Sequence, residues 1–99
     1  MQENQGKKYD SGKPMWHLLP KRTIGSIVAV LTSGAVKYGD NNWKKVESPR
    51  ERYYSALMRH VDAWRDGCTL DHETKLPHLA HAACCVLFLM WFDNEAQAR

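Results

Sequence analysis

An almost uninterrupted apolar run near the C-terminus constrains the fold of this chain more than any other feature. Residues 79–92 read L-A-H-A-A-C-C-V-L-F-L-M-W-F and are interrupted only by His81. The run is shorter than the roughly 20 residues that a membrane-spanning helix needs, so it predicts a buried helix. A helix that is apolar on every face must be covered on every side. Three helices in 99 residues can barely do this, so we expect homo-oligomerisation to cover the rest.

Capping residues and apolar periodicity predict three main helices and therefore an all-α fold, a small helical bundle. The first helix has threonine as its N-cap and glycine as its C-terminal stop. The second begins at a serine–proline capping box and also stops at a glycine. The expected ranges are Thr23 to Tyr38, Pro49 to Asp66, and about Pro77 to Glu95.

The N-terminal part is expected to lie outside the three helices. Residues 1–8 are polar and predict a flexible tail, and residues 9–99 are expected to form a single domain. A turn-rich segment precedes several large apolar residues, which we expect to clamp an extended N-terminal arm onto the body. These residues are Trp16, Leu18, Leu19 and Pro20.

Charge and cysteine usage exclude several classes of function. The formal net charge is +3 and no block of like charges occurs, so neither a nucleic-acid nor a membrane partner is expected. The three cysteines lack zinc-ribbon spacing, and two of them are adjacent in the apolar run, which predicts reduced, core-filling thiols. The polar N-terminus has no secretory signal, so a cytoplasmic location is expected.

Histidines and acids are concentrated between residues 59 and 83. They are His60, His72, His78 and His81, with Asp62, Asp66, Asp71 and Glu73. Histidine beside carboxylate is the chemistry of metal ligation and of acid–base catalysis near neutral pH. His78 and His81 lie one helical turn apart on one face of a buried helix. Two imidazoles there need a metal ion or carboxylates as partners.

We therefore hypothesise a divalent metal site in this segment. The expected ligands are His60, Asp71, Glu73, His78 and His81. Asp71, Glu73 and His60 are also the candidate catalytic residues. Mg²⁺ or Mn²⁺ is favoured and Zn²⁺ stays open, since carboxylates suit magnesium whereas imidazoles suit zinc, manganese or iron. The alternatives are structural: a hydrogen-bonded core histidine at position 60, and acids that only cap the third helix.

A second set of residues has the chemistry to bind a nucleotide. The segment K-Y-G-D-N-N-W at 37–43 offers a lysine for phosphate, amides for base edges and aromatic rings for stacking. The nucleotide-binding candidates are Lys37, Tyr38, Asn42 and Trp43, with Arg59 and Lys13 as further phosphate partners. The alternative is a helix end followed by a packed tryptophan. The segment D-S-G-K-P at 10–14 lacks the strand and the glycines of a phosphate loop.

Four segments resemble the bacteriophage family of dATP/dGTP diphosphohydrolase N-terminal domains. They are Y-D-S-G-K-P-M-W-H-L-L-P at 9–20, G-A-V-K-Y-G-D-N-N-W at 34–43, R-Y-Y-S-A-L-M-R-H at 52–60 and D-H-E-T-K-L-P-H-L-A-H-A-A at 71–83. The resemblance implies an all-helical nucleotide-binding domain of a phage protein that acts in the host cytoplasm. It also implies metal-dependent hydrolysis of purine deoxynucleoside triphosphates to monophosphate and pyrophosphate. The chain lacks the E-x-x-E and E-x-x-D pairs that hold magnesium in related MazG-like enzymes.

Three functions are compatible with these patterns. The favoured one is a metal-dependent purine (d)NTP pyrophosphohydrolase built on the histidine–acid cluster. The second is a non-catalytic phage sponge that sequesters a nucleotide-derived host immune signal with the same lysine, arginine, asparagine and tryptophan residues. The third is a structural oligomer whose histidines only hydrogen-bond within the core.

Overall fold

The computed structural model describes residues 5–98 and has the predicted all-α architecture. Its three α-helices are α1 (Ile24–Tyr38), α2 (Pro49–Arg65) and α3 (His78–Ala98), with short 3-10 turns at Trp16–Leu18 and Asn42–Lys45. Within residues 5–98 the only β-type pairing is an isolated bridge between Leu70 and Pro77. Half of the predicted flexible tail, residues 1–4, lies outside the described residues, as does residue 99.

Helix α1 begins and ends where predicted, but the bond expected at its N-terminus is not made. The backbone N–H of Gly39 donates to the carbonyl of Ala35 at 2.7 Å, and Gly39 has a φ of 96°, which only glycine adopts readily. Thr23 precedes the helix, but its side chain makes no capping hydrogen bond. Its hydroxyl donates to the carbonyl of Pro20 at 2.8 Å instead. Thr23 is therefore the N-cap residue by position, as predicted, but the expected capping bond is wrong.

Helix α2 also begins and ends where predicted, but its predicted capping box does not form. Pro49 is the first helical residue, as expected, and the chain turns out of the helix at Gly67, whose φ is 95°. Ser48 makes no side-chain capping bond because it has the left-handed conformation, with a φ of 50°. A capping serine needs an extended backbone to reach the first free N–H groups. The predicted capping box is therefore wrong.

Helix α3 is the central element and packs against both α1 and α2. The innermost cluster consists of Val30 from α1 with Ala80 and Cys84 from α3. Cys84 and Cys85 are both buried, which confirms their predicted place in the core. Burial raises the pKa of the Cys84 thiol to about 11.

Aromatic side chains join the segment after α1 to the middle of α3. The ring of Trp43 stacks on Phe88 with a centroid distance of 4.4 Å and meets the edges of Trp91 and Phe92. The hydroxyl of Tyr53 on α2 donates to the carbonyl of Trp43 at 2.9 Å. Contacts of this kind add about 1 kcal/mol each beyond the buried area. They fix the 3-10 turn at Asn42–Lys45 against α2 and α3.

Large apolar side chains are left exposed on the single chain. On α3 they are Leu79, Val86, Leu87 and Met90, each at least 40% exposed. In the N-terminal arm the exposed fraction of Trp16 is 78%, and Leu18 and Leu19 are exposed as well. The predicted clamp of the arm onto the body is therefore wrong.

The radius of gyration is 17.9 Å, whereas about 13 Å is typical of a compact chain of this length. None of the helices within residues 5–98 is both long and apolar enough to cross a membrane.

Candidate metal centre

The loop between α2 and α3 folds back on itself and holds Asp71 beside the start of α3. The backbone N–H of Asp71 donates to the carbonyl of Leu76, and the N–H of Lys75 donates to the carbonyl of Asp71, both at 2.8 Å. The N–H of His78 donates to the carbonyl of Thr69, also at 2.8 Å. These bonds satisfy loop groups that the helices leave without partners, and they fix Asp71 relative to His78.

Three side chains from three successive elements converge next to this loop. His60 lies on α2, Asp71 lies in the loop, and His78 is the first residue of α3. One possible ligand atom from each lies within 4.8 Å of the others. His78 is buried, whereas His60 and Asp71 are half-buried. We call this group the His60–Asp71–His78 trio.

The two histidines of the trio face each other through their Nδ1 atoms, which lie 2.9 Å apart. Two ligand atoms bound about 2.1 Å from one metal ion lie about 3.0 Å apart at octahedral angles and about 3.4 Å apart at tetrahedral angles. The observed separation matches the octahedral value. The same distance also suits a hydrogen bond in which one Nδ1–H donates to the other nitrogen. The two Nδ1 atoms are thus already as close as two ligand atoms of one metal ion would be.

Thr74 joins the carboxylate of the trio to His81. The backbone N–H and the hydroxyl of Thr74 lie 2.9 and 3.0 Å from Oδ2 of Asp71. The same hydroxyl oxygen lies 2.7 Å from Nε2 of His81. The ring of His81 stacks on that of His60, with a centroid distance of 4.6 Å and an interplanar angle of 11°. His81 is a predicted metal ligand, but the structure places it beside the trio with its Nε2 engaged by Thr74.

The lowered pKa values of three side chains favour the neutral form of His60 and His81 and the ionised form of Asp71. Burial is the largest cause of the lowered pKa of His60, reinforced by the nearby His81 and His78. Burial also lowers the pKa of His81, against the opposing attraction of Asp71. Burial alone would raise the pKa of Asp71, but the hydrogen bonds from Thr74 and the neighbouring imidazoles hold it below its usual value. Metal ions bind these groups in the same protonation states.

The donor set of the trio fits a divalent transition metal ion. Two imidazoles and one carboxylate are ligands that manganese, iron and zinc all accept in proteins. Magnesium prefers oxygen ligands and keeps several waters, so two nitrogen donors suit it poorly. The residues present therefore favour Mn²⁺ or Zn²⁺ over the Mg²⁺ that the sequence alone also favoured.

Glu73 lies outside the trio, although it was predicted as a ligand and a catalytic residue. Its carboxylate accepts a hydrogen bond from Nζ of Lys37 at 2.6 Å, and both side chains are more than half exposed. This bond lowers the pKa of Glu73 and raises that of Lys37. The pair connects the end of α1 to the loop that carries Asp71. It thereby brings a predicted phosphate-binding lysine next to the candidate centre.

The other predicted nucleotide-binding residues are spread over the surface. Nζ of Lys37 lies 5.1 Å from the ring centre of Tyr38, which is exposed. Trp43 packs on Phe88, as in the structural alternative for that segment, and Asn42 beside it is half-buried. Arg59 and Lys13 are exposed. The histidine–acid segment also contains His72, Asp62 and Asp66, which are all exposed.

Sequence reasoning missed Thr74. Its signal was available: a threonine three residues after an aspartate is the spacing at which an aspartate side chain accepts bonds from a turn. It also missed Lys44, whose Nζ lies over the rings of Trp43 and Trp91 at 5.4 and 4.8 Å. Thr74 carries neither a charge nor an imidazole, and Lys44 lies outside the histidine–acid segment, so the pattern of histidines and acids indicated neither residue.

Comparison with known proteins identifies the family. The sequence matches the family described as dATP/dGTP diphosphohydrolase, N-terminal, over residues 3–99. The chain belongs to this family. A curated relative from Salmonella phage PMBT28, named dATP/dGTP diphosphohydrolase, is 37% identical over 90 residues. That alignment covers 91% of this chain but only 30% of the relative, so the chain spans less than a third of the relative's length. No solved structure shows significant similarity to the chain.

Proposed function

We propose that the chain is the metal-binding and nucleotide-binding part of a phage pyrophosphohydrolase that converts purine (d)NTPs to monophosphate and pyrophosphate. The observation that carries the proposal is the convergence of His60, Asp71 and His78, with one ligand atom from each within 4.8 Å of the others. The name of the phage relative supports the substrate class. The host cytoplasm, where nucleotides are abundant, is the compartment in which we expect the protein to act.

The trio would hold the metal ion through the Nδ1 atoms of its histidines and a carboxylate oxygen. A bound divalent ion neutralises phosphate charge and lowers the pKa of a bound water. The lowered pKa values of His60 and Asp71 favour the uncharged imidazole and the carboxylate that a metal ion binds. The proton that lies between the two Nδ1 atoms must leave before both nitrogens can bind the ion.

Lys37 and Glu73 are the residues to which we assign phosphate binding and proton transfer. Nζ of Lys37 is exposed and lies at the rim of the loop, so a nucleotide phosphate can compete with Glu73 for it. Loss of the lysine would let the pKa of Glu73 rise toward its ordinary value and make it a better proton acceptor. The oxygen of an attacking water forms a bond to phosphorus, the bond to the pyrophosphate oxygen breaks, and Glu73 takes the water's proton.

For the base, we assign Tyr38 as the stacking partner and Asn42 as the residue that reads a base edge. Tyr38 is exposed and adjoins Lys37, whereas Trp43 already stacks on Phe88. Arg59 and Lys13 stay candidate phosphate partners, since both are exposed.

We further propose that the chain acts as a homo-oligomer. Half-exposed leucine, valine and methionine side chains on α3 and an exposed apolar arm leave much apolar surface in water. Burial of such surface is worth about 25 cal/mol per Å², so association of identical chains would be favoured.

Product analysis tests the enzymatic proposal. The purified protein is incubated with dATP or dGTP and with Mn²⁺, Zn²⁺ or Mg²⁺, and the nucleotides are separated by chromatography. We expect monophosphate and pyrophosphate in equal amounts. Product formation should be lost in Asp71→Asn and His78→Ala but retained in the control His72→Ala. Recovery of intact nucleotide from a tight, metal-independent complex would instead favour sequestration. Absence of both turnover and binding would contradict the proposal.

A further inference from the structure

The hydroxyl of Thr74 has a complete set of partners, and their identity determines the direction of each hydrogen bond. Its oxygen lies 3.0 Å from Oδ2 of Asp71, 2.7 Å from Nε2 of His81 and 3.3 Å from the backbone nitrogen of Leu76. A threonine hydroxyl donates once and accepts twice. The backbone N–H of Leu76 can only donate, so it uses one of the two acceptor positions.

The remaining two bonds have one consistent arrangement. An ionised carboxylate only accepts, so Thr74 donates its single proton to Asp71. His81 must then donate from Nε2–H to the second acceptor position of the hydroxyl. Nε2 of His81 lies 3.9 Å from Oδ2 of Asp71, which is too far for a direct hydrogen bond. Thr74 is therefore the link between the two.

The link extends from His81 to His60, one of the two histidines of the trio. His81 is half-buried, and its ring lies almost parallel to that of His60. The orientation of His81 therefore limits the rotation of the His60 ring, whose Nδ1 faces His78. One hydroxyl thus restrains Asp71 directly and His60 through a stacked ring.

We propose that Thr74 is a positioning residue of the metal centre, whose hydroxyl holds Asp71 and, through His81, the ring of His60 in ligand geometry. This inference rests on the proposed metal-binding function. It also assigns His81 a supporting role with a protonated Nε2, in place of direct ligation through that atom. Residues that orient ligands in this way change metal affinity about 10- to 100-fold when they are removed.

The experiment compares Thr74→Val, which removes the hydroxyl at nearly constant volume, with Thr74→Ser, which keeps it. Thr32→Val is the matched control, because the Thr32 hydroxyl donates to the carbonyl of Val28 within α1, away from the trio. Mn²⁺ affinity is measured by calorimetry. We expect Thr74→Val to weaken binding roughly 10- to 100-fold, with the affinity restored by serine and unchanged in the control. Equal affinity in Thr74→Val and the wild type would overturn the inference.

A second readout needs no metal. Proton–nitrogen NMR on protein with isotope-labelled histidine follows the exchange of the Nε2–H of His81 with water. We expect a protected proton in the wild type and in Thr74→Ser, and fast exchange in Thr74→Val. If no variant binds Mn²⁺ yet this pattern holds, the metal function fails while the Thr74 contact stands. Fast exchange in the wild type would overturn the contact itself.

Discussion

The Nδ1 atoms of His60 and His78 lie 2.9 Å apart, so α2 and α3 bring two imidazoles into direct contact. Without an ion, one ring must donate to the other, which requires at least one neutral imidazole. With an ion, both nitrogens can bind at once. The same contact therefore serves as a hydrogen bond in the free protein and as a pair of ligand atoms in the proposed metal complex.

Acid should destabilise the fold through His60 and His81. Burial lowers the pKa of both below the value of about 6.5 expected in the unfolded chain, so the unfolded state takes up protons first as the pH falls. Their stabilising contribution is complete above about pH 6.5 and is lost as the pH falls through the folded pKa values. Asp71 adds a further loss only below about pH 4, because its pKa is lowered as well.

Urea unfolding between about pH 8 and about pH 5 measures this effect. The dependence of the free energy of unfolding on pH should be weaker in the double variant His60→Gln, His81→Gln. It should be retained in His72→Ala, since His72 is exposed. A stability that stays constant over this range in the wild type would contradict the assignment.

The Lys37–Glu73 pair should regulate nucleotide binding more than stability. Both groups are exposed, so breaking the pair should leave the unfolding midpoint nearly unchanged. Glu73→Gln should tighten dATP binding because it frees the lysine. Lys37→Met should weaken binding by about tenfold, the usual effect of losing one charge-assisted bond.

Calorimetry with dATP and with Mn²⁺ separates these roles, with Lys45→Met as an exposed control. A loss of Mn²⁺ affinity in Glu73→Gln would show that Glu73 is a metal ligand after all. Equal dATP affinity in Lys37→Met and Lys45→Met would remove Lys37 from the phosphate site.

The cysteines should react at different rates in the folded protein. Burial raises the pKa of Cys84 and Cys85, and the thiolate is the reactive form. Cys68 is exposed. A thiol-reactive dye should label one cysteine quickly in the native protein and all three after unfolding. Quick native labelling that persists in Cys68→Ser would mean that the core around α3 opens readily.

Self-association should depend on the exposed apolar residues of α3. Light scattering after size-exclusion chromatography should give a mass above that of one 11.4 kDa chain. Met90→Glu places a charge where the side chain is 55% exposed, so it should reduce the mass without unfolding the monomer. Gln97→Glu, near the exposed end of the same helix, serves as control. A monomer at all concentrations would leave α3 uncovered and contradict the expectation.

Local sequence signals predicted the helices and their bounds well but not the hydrogen bonds at their N-termini. The glycine stops at Gly39 and Gly67 follow from a conformation that only glycine adopts readily, so they were readable from the sequence. The predicted capping bonds were wrong because they depend on the backbone conformation of the residues that precede each helix. Thr23 turns its hydroxyl back to Pro20, and Ser48 has a positive φ.

The candidate site was predictable in its local part only. His60, Asp71 and His78 meet because the loop that joins α2 to α3 folds back on itself through its own backbone hydrogen bonds. The pairing of Lys37 with Glu73 joins residues 36 positions apart in the sequence. It depends on how α1 packs against α3. Such long-range choices follow from tertiary contacts, which no local pattern encodes.

Metal ligation by His60 and His78 is the central claim, and spin-echo spectroscopy of the Mn²⁺-loaded protein tests it most directly. The coupling of Mn²⁺ to imidazole nitrogen should indicate two histidines in the wild type and in His72→Ala, and one in His78→Ala. Asp71→Asn should keep the nitrogen coupling while binding Mn²⁺ more weakly. Bound Mn²⁺ without nitrogen coupling, or no bound Mn²⁺ in the folded wild type, would contradict the claim.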